Sequence, residues 1–161
     1  MKSGSAVRVR VRPARPDDRE FVLETAKRLA EFGPPPWRSP ELVVTAESRV
    51  LHAFFDAPLP ATALLVAESA DGTRLGFAYL ETLVDYFEQR PHAHLAELAV
   101  SRDAEGSGAG GALLAASEEW ARAFGYSLLT LNVFEGNRHA RAVYERCGFR
   151  PETVRYVKIL G

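Results

Sequence analysis

"AEGSGAGG", residues 104–111, is the stretch on which the fold turns, and four of its eight residues are glycine: Gly106, Gly108, Gly110 and Gly111. It separates the apolar run "HLAELAV" (94–100) from "ALLAASEEWARAFG" (112–125). In the second run Leu113, Leu114, Ser117, Trp120, Ala121 and Phe124 share one face of a helix, and Gly125 suits its C-terminal stop. Three readings of the loop compete. It is a ligand-free turn, for which one glycine suffices. It is a dinucleotide fingerprint, since Gly106, Gly108 and Gly111 fit G-x-G-x-x-G. Or its backbone N–H groups, at a helix N-terminus, form a concave anion site. The dinucleotide reading puts the first glycine at the strand end, but here Ser101 to Glu105 intervene, and little chain follows for a second nucleotide-binding half. No lysine follows Gly111, which disfavours a triphosphate site and leaves a pyrophosphate held by backbone.

Around the loop the pattern predicts a single mixed α/β domain in the order β-α-α-β-β-β-α-β-α-β. Val7, Val9 and Val11 alternate with Arg8, Arg10 and Arg12, a half-buried strand with its arginines toward solvent. Pro16-Asp17-Asp18 opens a helix, "FGPPPWRSP" breaks it, and a second helix runs from about Glu41 to Phe55. "ALLVAES" (63–69) and "RLGFAYLETLVD" (74–85) form a hairpin across Asp71-Gly72. "HAHLAELAVS" (92–101) is the fourth strand. After the glycine loop and its helix come a strand "YSLLTLNVF" (126–134), a helix "NRHARAVYERC" (137–147) and a last strand near "VRYVKIL" (154–160).

Composition limits the function. A net charge of −1 argues against a nucleic-acid binder, and no apolar run reaches membrane-spanning length. The amino terminus lacks an apolar signal core, and residues 1–6 are expected to be disordered, with residues 7–161 as the domain. With Cys147 alone no intrachain disulfide can form, which fits the cytoplasm. His52, His92, His94 and His139 lack metal-ligand spacing, so no metal is expected. Cys147 reads as a small buried residue rather than a nucleophile.

From His94 to Phe149 the chain resembles the GNAT superfamily of acyl-CoA-dependent N-acyltransferases. Two motifs carry the resemblance. The family's Q/R-x-x-G-x-G/A loop corresponds to Glu105-Gly106-Ser107-Gly108-Ala109-Gly110, and its last helix corresponds to Asn137, Ala140 and Tyr144 leading into Gly148-Phe149. The resemblance implies a GNAT-like domain with a mostly antiparallel sheet of six to seven strands and about four helices. It implies transfer of an acetyl group from acetyl-CoA to a primary amine by direct attack in a ternary complex, in a monomer or homodimer. The loop Gly106, Ser107, Gly108, Ala109, Gly110 and Gly111 would hold the pyrophosphate. Leu98, Ala99 and Val100 would pair with the pantetheine arm, with Asn137 bonding its amides. An N–H at Leu98, or one residue either way, would face the oxyanion, and Tyr144 would protonate the thiolate.

Glu105 departs from the family's Gln or Arg, with Arg138 and Arg141 placed to offset its charge. Some members carry a Glu five residues before the Asn, where this chain has Asn132. Glu97, alone in an apolar strand, is the leading base, because burial there would raise its pKa toward neutrality. Glu81, His94 or a water are the alternatives. The departures at Glu105 and Asn132 leave open a catalytically degenerate CoA-binding regulatory domain, and the loop leaves open a nicotinamide-dependent oxidoreductase. The acceptor is expected to meet "EFGPPPWRSP" (31–40) and "YFEQRPHAH" (86–94), where Trp37, Tyr86 and Phe87 could wall a pocket and Asp85 and Glu88 attract an amine. A polyamine, an amino acid, an aminoglycoside or a protein N-terminus all remain open.

Overall fold

A computed structural model describes residues 8–161. The expectation of a disordered 1–6 and the strand position Val7 lie outside the described residues. The strands are β1 (Arg10–Pro13), β2 (Ala63–Glu68), β3 (Arg74–Val84), β4 (Pro91–Val100) and β5 (Leu129–Leu131). The helices are α1 (Arg19–Ala26), α2 (Pro40–Asp56), α3 (Ala109–Ala123) and α4 (Arg138–Arg146). They form one sheet in the order β1-β2-β3-β4-β5, antiparallel except for the parallel pair β4·β5. The hairpin turn lies where Asp71-Gly72 predicts it, with Gly72 at φ 84° and Ser69 N–H donating to Thr73 O at 2.9 Å.

The strand count is corrected to five among the described residues, and the last strand of the expected order does not form. Residues 150–161 carry no regular structure, with Tyr156 and Leu160 exposed. In a strand Val154, Tyr156 and Leu160 would share one face with Lys158, and Val157 and Ile159 the other with Arg155, so neither face would be uniformly apolar. The strand expected over 126–134 shrinks to three residues because β4 offers it a partner only at Ala93–Leu95.

The sheet buries both faces. On one side Leu113 and Leu114 of α3 pack on Ala78, Leu80 and Leu95. On the other, Val22 and Ala26 of α1 and Leu51 of α2 pack on Leu64, Val66, Phe77, Tyr79 and Ala99. Ser39 caps α2, its Oγ accepting from Leu42 N–H at 3.1 Å, with Pro40 as the first helical residue.

The arginine face of β1 is not simply solvated. The Arg12 side chain is only 10% exposed and forks onto Asp18, at 2.7 and 3.0 Å, with its Nε on Glu68 at 2.7 Å. Asp18, fully buried, also accepts from Arg74 Nε at 2.6 Å and from the Arg15 N–H at 2.7 Å. Arg10 closes the network on Glu68. These groups join β1, β2, β3 and the entry to α1.

Burial alone would raise the Asp18 pKa, but the bonds from Arg12, Arg15 and Arg74 outweigh it and hold the carboxyl well below its ordinary 3.8. Its stabilisation is therefore complete above pH 3.8 and is lost as pH falls toward the depressed folded value. Asp18→Asn, which takes the buried carboxylate from between Arg12 and Arg74 and leaves them only Glu68 and Asp17, is expected to lower unfolding free energy by about 3 kcal/mol at pH 7. The difference from wild type should shrink below pH 4, as read by urea denaturation at the two pH values.

Candidate active site

The pairing of β3 with β4 is interrupted once. Tyr79 pairs with Glu97 and Leu80 with Leu95, so Ala96 is an extra residue, a β-bulge. Before the bulge Ala93 N–H points to β5, bonding Leu128 O at 3.1 Å. After it Ser101 N–H points to β3, bonding Leu75 O at 2.8 Å. Alternation then directs the backbone groups of Leu98 and Val100 away from β3, onto the edge that β5 no longer covers. The parallel strands part beyond Leu95 and Leu131, leaving an open edge over Ala96–Val100. The carbonyl of Val100 on this edge accepts from Arg28 Nη1 at 2.7 Å.

The glycine loop lies just past that edge. Gly106 (φ 74°) and Gly108 (φ 88°, the N-cap of α3) occupy left-handed conformations that side chains resist. The N–H groups of Gly106, Gly108, Gly110 and Gly111 donate to no carbonyl of the described residues outside α3, as expected for a helix start. A Cβ at Gly106, Gly108 or Gly111 would meet nothing, so the cradle has room above its backbone. The residues present therefore fit a pyrophosphate.

Glu105 does not spoil the cradle. It pairs with Arg28, which follows α1 and also holds Val100. Arg141, expected to offset it, instead bonds Glu135 O at 3.0 Å. Arg28 lies 77 residues from Glu105, and no local pattern marks it. Asn137 caps α4, its Oδ1 accepting from Ala140 N–H at 3.1 Å, which leaves its amide NH2 to donate. The loop after α1 reaches this cap, since a Cβ on Gly33 would lie 2.6 Å from Asn137 N. Tyr144 packs edge-on to Phe149 and against the same core as Leu98 and Val100, and burial raises its phenol pKa.

The other face of β4 holds the acid–base groups. Because of the bulge, Ala96 and Ala99, three residues apart, both pack on the α1/α2 side, and Glu97 turns there with them. Glu97 is 2% exposed and neither carboxylate oxygen has a hydrogen-bond partner. Burial first, then the negative field and close approach of the Glu47 carboxyl, and then the field of Glu81, push its pKa up to about 9. Burial raises Glu81 as well. His94 pairs with Glu81 across the strands, and its Nδ1 meets Thr130 Oγ1 at 2.8 Å. His92 Nε2 meets the same hydroxyl at 3.0 Å. Burial and His92 lower the His94 pKa, so it is neutral at pH 7.

Other expected residues fall elsewhere. Asp85 is spent on its own turn, its Oδ1 accepting from the N–H groups of Phe87 and Glu88 at 3.0 and 2.7 Å, and Glu88 pairs with Arg90. Trp37, Tyr86 and Phe87 are exposed. Cys147 is exposed rather than buried, at the end of α4. Glu47 of α2 was not singled out by the sequence reading. Its sign was there: it lies on the stripe Val43, Glu47, Leu51, whose other two members are buried. Among the described residues no group of three or more His, Cys, Asp or Glu could hold a metal, and no helix is long and apolar enough to cross a membrane.

The chain is similar to known proteins in sequence and in fold. Residues 25–149 match the model of the acetyltransferase (GNAT) family. The chain is 34% identical over 90 residues to the uncharacterized N-acetyltransferase YhfO of Bacillus subtilis, covering 56% of this chain and 60% of that protein. It is 37% identical over 98 residues to the aminoglycoside N(6')-acetyltransferase type 1 of Stenotrophomonas maltophilia, covering 59% and 63%. The matched segment thus spans about three fifths of each curated relative. In structure it resembles a Pyrococcus furiosus protein assigned as an acetyl transferase, with a TM-score of 0.76 at 21% identity over 95% of this chain and 100% of that one. The family match covers more than half of the chain, and the dinucleotide reading of the loop falls with it: the chain belongs to the GNAT acetyltransferase family.

Proposed function

We propose that the protein is an N-acetyltransferase that moves an acetyl group from acetyl-CoA to a primary amine by direct attack. The observation that carries this reading is the open edge of Ala96–Val100 ending at the glycine cradle, with a buried, unpartnered carboxyl on the opposite face of the same strand. The N–H groups of Gly106, Gly108, Gly110 and Gly111 hold the pyrophosphate, while Ser107, whose N–H donates to Ala104 O at 3.1 Å, and Ala109, whose N–H donates to Ser107 Oγ at 3.3 Å, shape the loop. Leu98 and Val100, with Ala99 between them, pair with the pantetheine arm as an added strand would, and the Asn137 amide donates to it. When bound, acetyl-CoA supplies a thioester whose carbonyl carbon the amine attacks and whose sulfur leaves. The outward Leu98 N–H faces the developing oxyanion. Tyr144 hands its proton to the departing sulfur.

Glu97 takes the proton of the amine. In the empty site its pKa of about 9 keeps it neutral at pH 7. An arriving ammonium supplies the missing counter-charge and lowers that value, so that proton exchange between two groups of similar pKa costs little. Glu81, His94 or a water take this role if Glu97 does not. Binding of CoA without turnover is less well supported, because Arg28 neutralises the discordant Glu105. A cytoplasmic location is consistent with the lone cysteine.

Wild-type kcat/KM is expected to rise with pH toward about 9. Glu97→Gln should lose that limb and cut kcat by about 100-fold. An unchanged profile and rate would hand the role to Glu81, His94 or water. The same variant is expected to be more stable. The folded carboxyl stays protonated up to about 9, whereas the unfolded one ionises near 4.5, so wild-type stability is full below 4.5 and declines as pH rises to 9. Gln does not titrate, so the melting-temperature gain of the variant should widen between pH 5 and pH 9, limits set by those two pKa values.

Tyr144→Phe is expected to lower kcat by about tenfold or more with the acetyl-CoA dissociation constant little changed. Equal turnover in stopped-time thiol-release assays would remove Tyr144 as the acid. Gly108→Val should weaken acetyl-CoA binding by about 100-fold, through strain at φ 88° and a branched side chain in the cradle. Calorimetry reads the affinity and circular dichroism verifies the fold; normal affinity would sink the pyrophosphate placement.

A further inference from the structure

The fold satisfies its structural carboxylates from within. Asp18 and Glu68, 0% and 4% exposed, are met by Arg10, Arg12 and Arg74. Glu97 is buried as deeply and receives nothing. Its neighbours make the imbalance larger. Tyr79 faces Glu97 across the strands and Glu81 lies two residues further along β3, on the same face. Glu97 and Glu81 are therefore diagonal neighbours across the two strands, a relation that places such positions about 7–8 Å apart. Glu47 closes the group from α2, one turn before buried Leu51. Burial raises both Glu47 and Glu81, the nearness of Glu97 partly offsetting it at Glu47, and no cation of the protein acts on either. The other titratable groups on this face are Tyr79 and the histidines His92 and His94, which Thr130 bridges. Glu47 and Glu81 thus each lie within electrostatic reach of Glu97, and no protein cation offsets the three. The exposed acids that the sequence offers for this purpose, Asp85 and Glu88, are already engaged.

Resting on the acetyltransferase reading, we infer that the acceptor is a polycation: besides the amine that meets Glu97 it carries at least one further ammonium group, held by Glu47 and Glu81. A monoamine meeting Glu97 would leave the half-buried carboxyls of Glu47 and Glu81 unmatched. A second ammonium some 5–7 Å from the reacting one spans the diagonal between Glu97 and Glu81. An aliphatic polyamine and an amino sugar share this chemistry. The similar Stenotrophomonas maltophilia protein is named for an aminoglycoside, which makes the amino-sugar arm worth testing beside the aliphatic one.

The test compares spermidine, kanamycin and n-butylamine as acceptors in acetyl-CoA thiol release, with wild type, Glu47→Gln and Glu81→Gln. At least one polycation should exceed n-butylamine in kcat/KM by about 100-fold. Each variant should raise KM for that polycation by about tenfold and KM for n-butylamine far less, while any change in kcat that follows from the altered field at Glu97 is common to both acceptors. Added salt should raise the polycation KM in wild type and less in the variants. Equal use of n-butylamine, or a polycation KM indifferent to both substitutions, overturns the inference while leaving acetyl transfer intact. If no acceptor releases thiol, calorimetric titration of spermidine and of kanamycin into the CoA-bound protein decides. Binding that both substitutions weaken sustains the polycation site although acetyl transfer fails, and binding of neither overturns it.

Discussion

One extra residue in β4 governs the site. A regular strand would keep odd-numbered residues on the α3 side from Ala93 to Ser101, and Glu97 would enter the core that holds Leu95, Leu113 and Leu114. The bulge at Ala96 reverses the alternation. It sends Glu97 to the α1/α2 side and turns the polar groups of Leu98 and Val100 to the open edge. One irregularity therefore divides β4 into the open edge proposed for the cofactor and the face proposed for the acceptor, a single peptide apart.

The second constraint is the departure of β5. A longer β5 would cover Ala96–Val100 and satisfy the backbone groups that a bound arm is proposed to use. Pairing stops at Leu95, and the freed carbonyl of Val100 is met by Arg28. Arg28 also neutralises Glu105, so one side chain steadies both the strand end and the loop. This explains how a carboxylate stands where the family has Gln or Arg without placing net negative charge on an anion cradle.

Buried charge is used in two opposite ways. The network of Asp18, Glu68 and their arginines is closed, and its worth is structural: it ties three strands to the first helix. The group of Glu47, Glu81 and Glu97 is left open, at a cost to stability that a purely structural core would not carry. The same residue type thus marks a scaffold in one place and chemistry in the other. What separates them is whether the fold provides a counter-ion.

The family was legible because its motifs are local. Four glycines before a helix, and an Asn, a Tyr and Gly-Phe on and after another, are set by backbone conformation and capping, which neighbouring residues dictate. The hairpin at Asp71-Gly72 and the isolation of Glu97 in an apolar strand were legible for the same reason. The last strand was misread because a run of apolar residues signals burial without naming a partner. Arg12 was misread because exposure on an alternating strand depends on what packs above it. The partner of Glu105, the contribution of Glu47 and the reversal at Ala96 lay beyond local reading, since each depends on residues far apart in the chain being brought into register. The sequence alone thus determined the family and the cradle, through short-range conformational preference. Only the tertiary structure decided which face Glu97 occupies and which charges surround it, because strand register and helix docking are long-range packing choices.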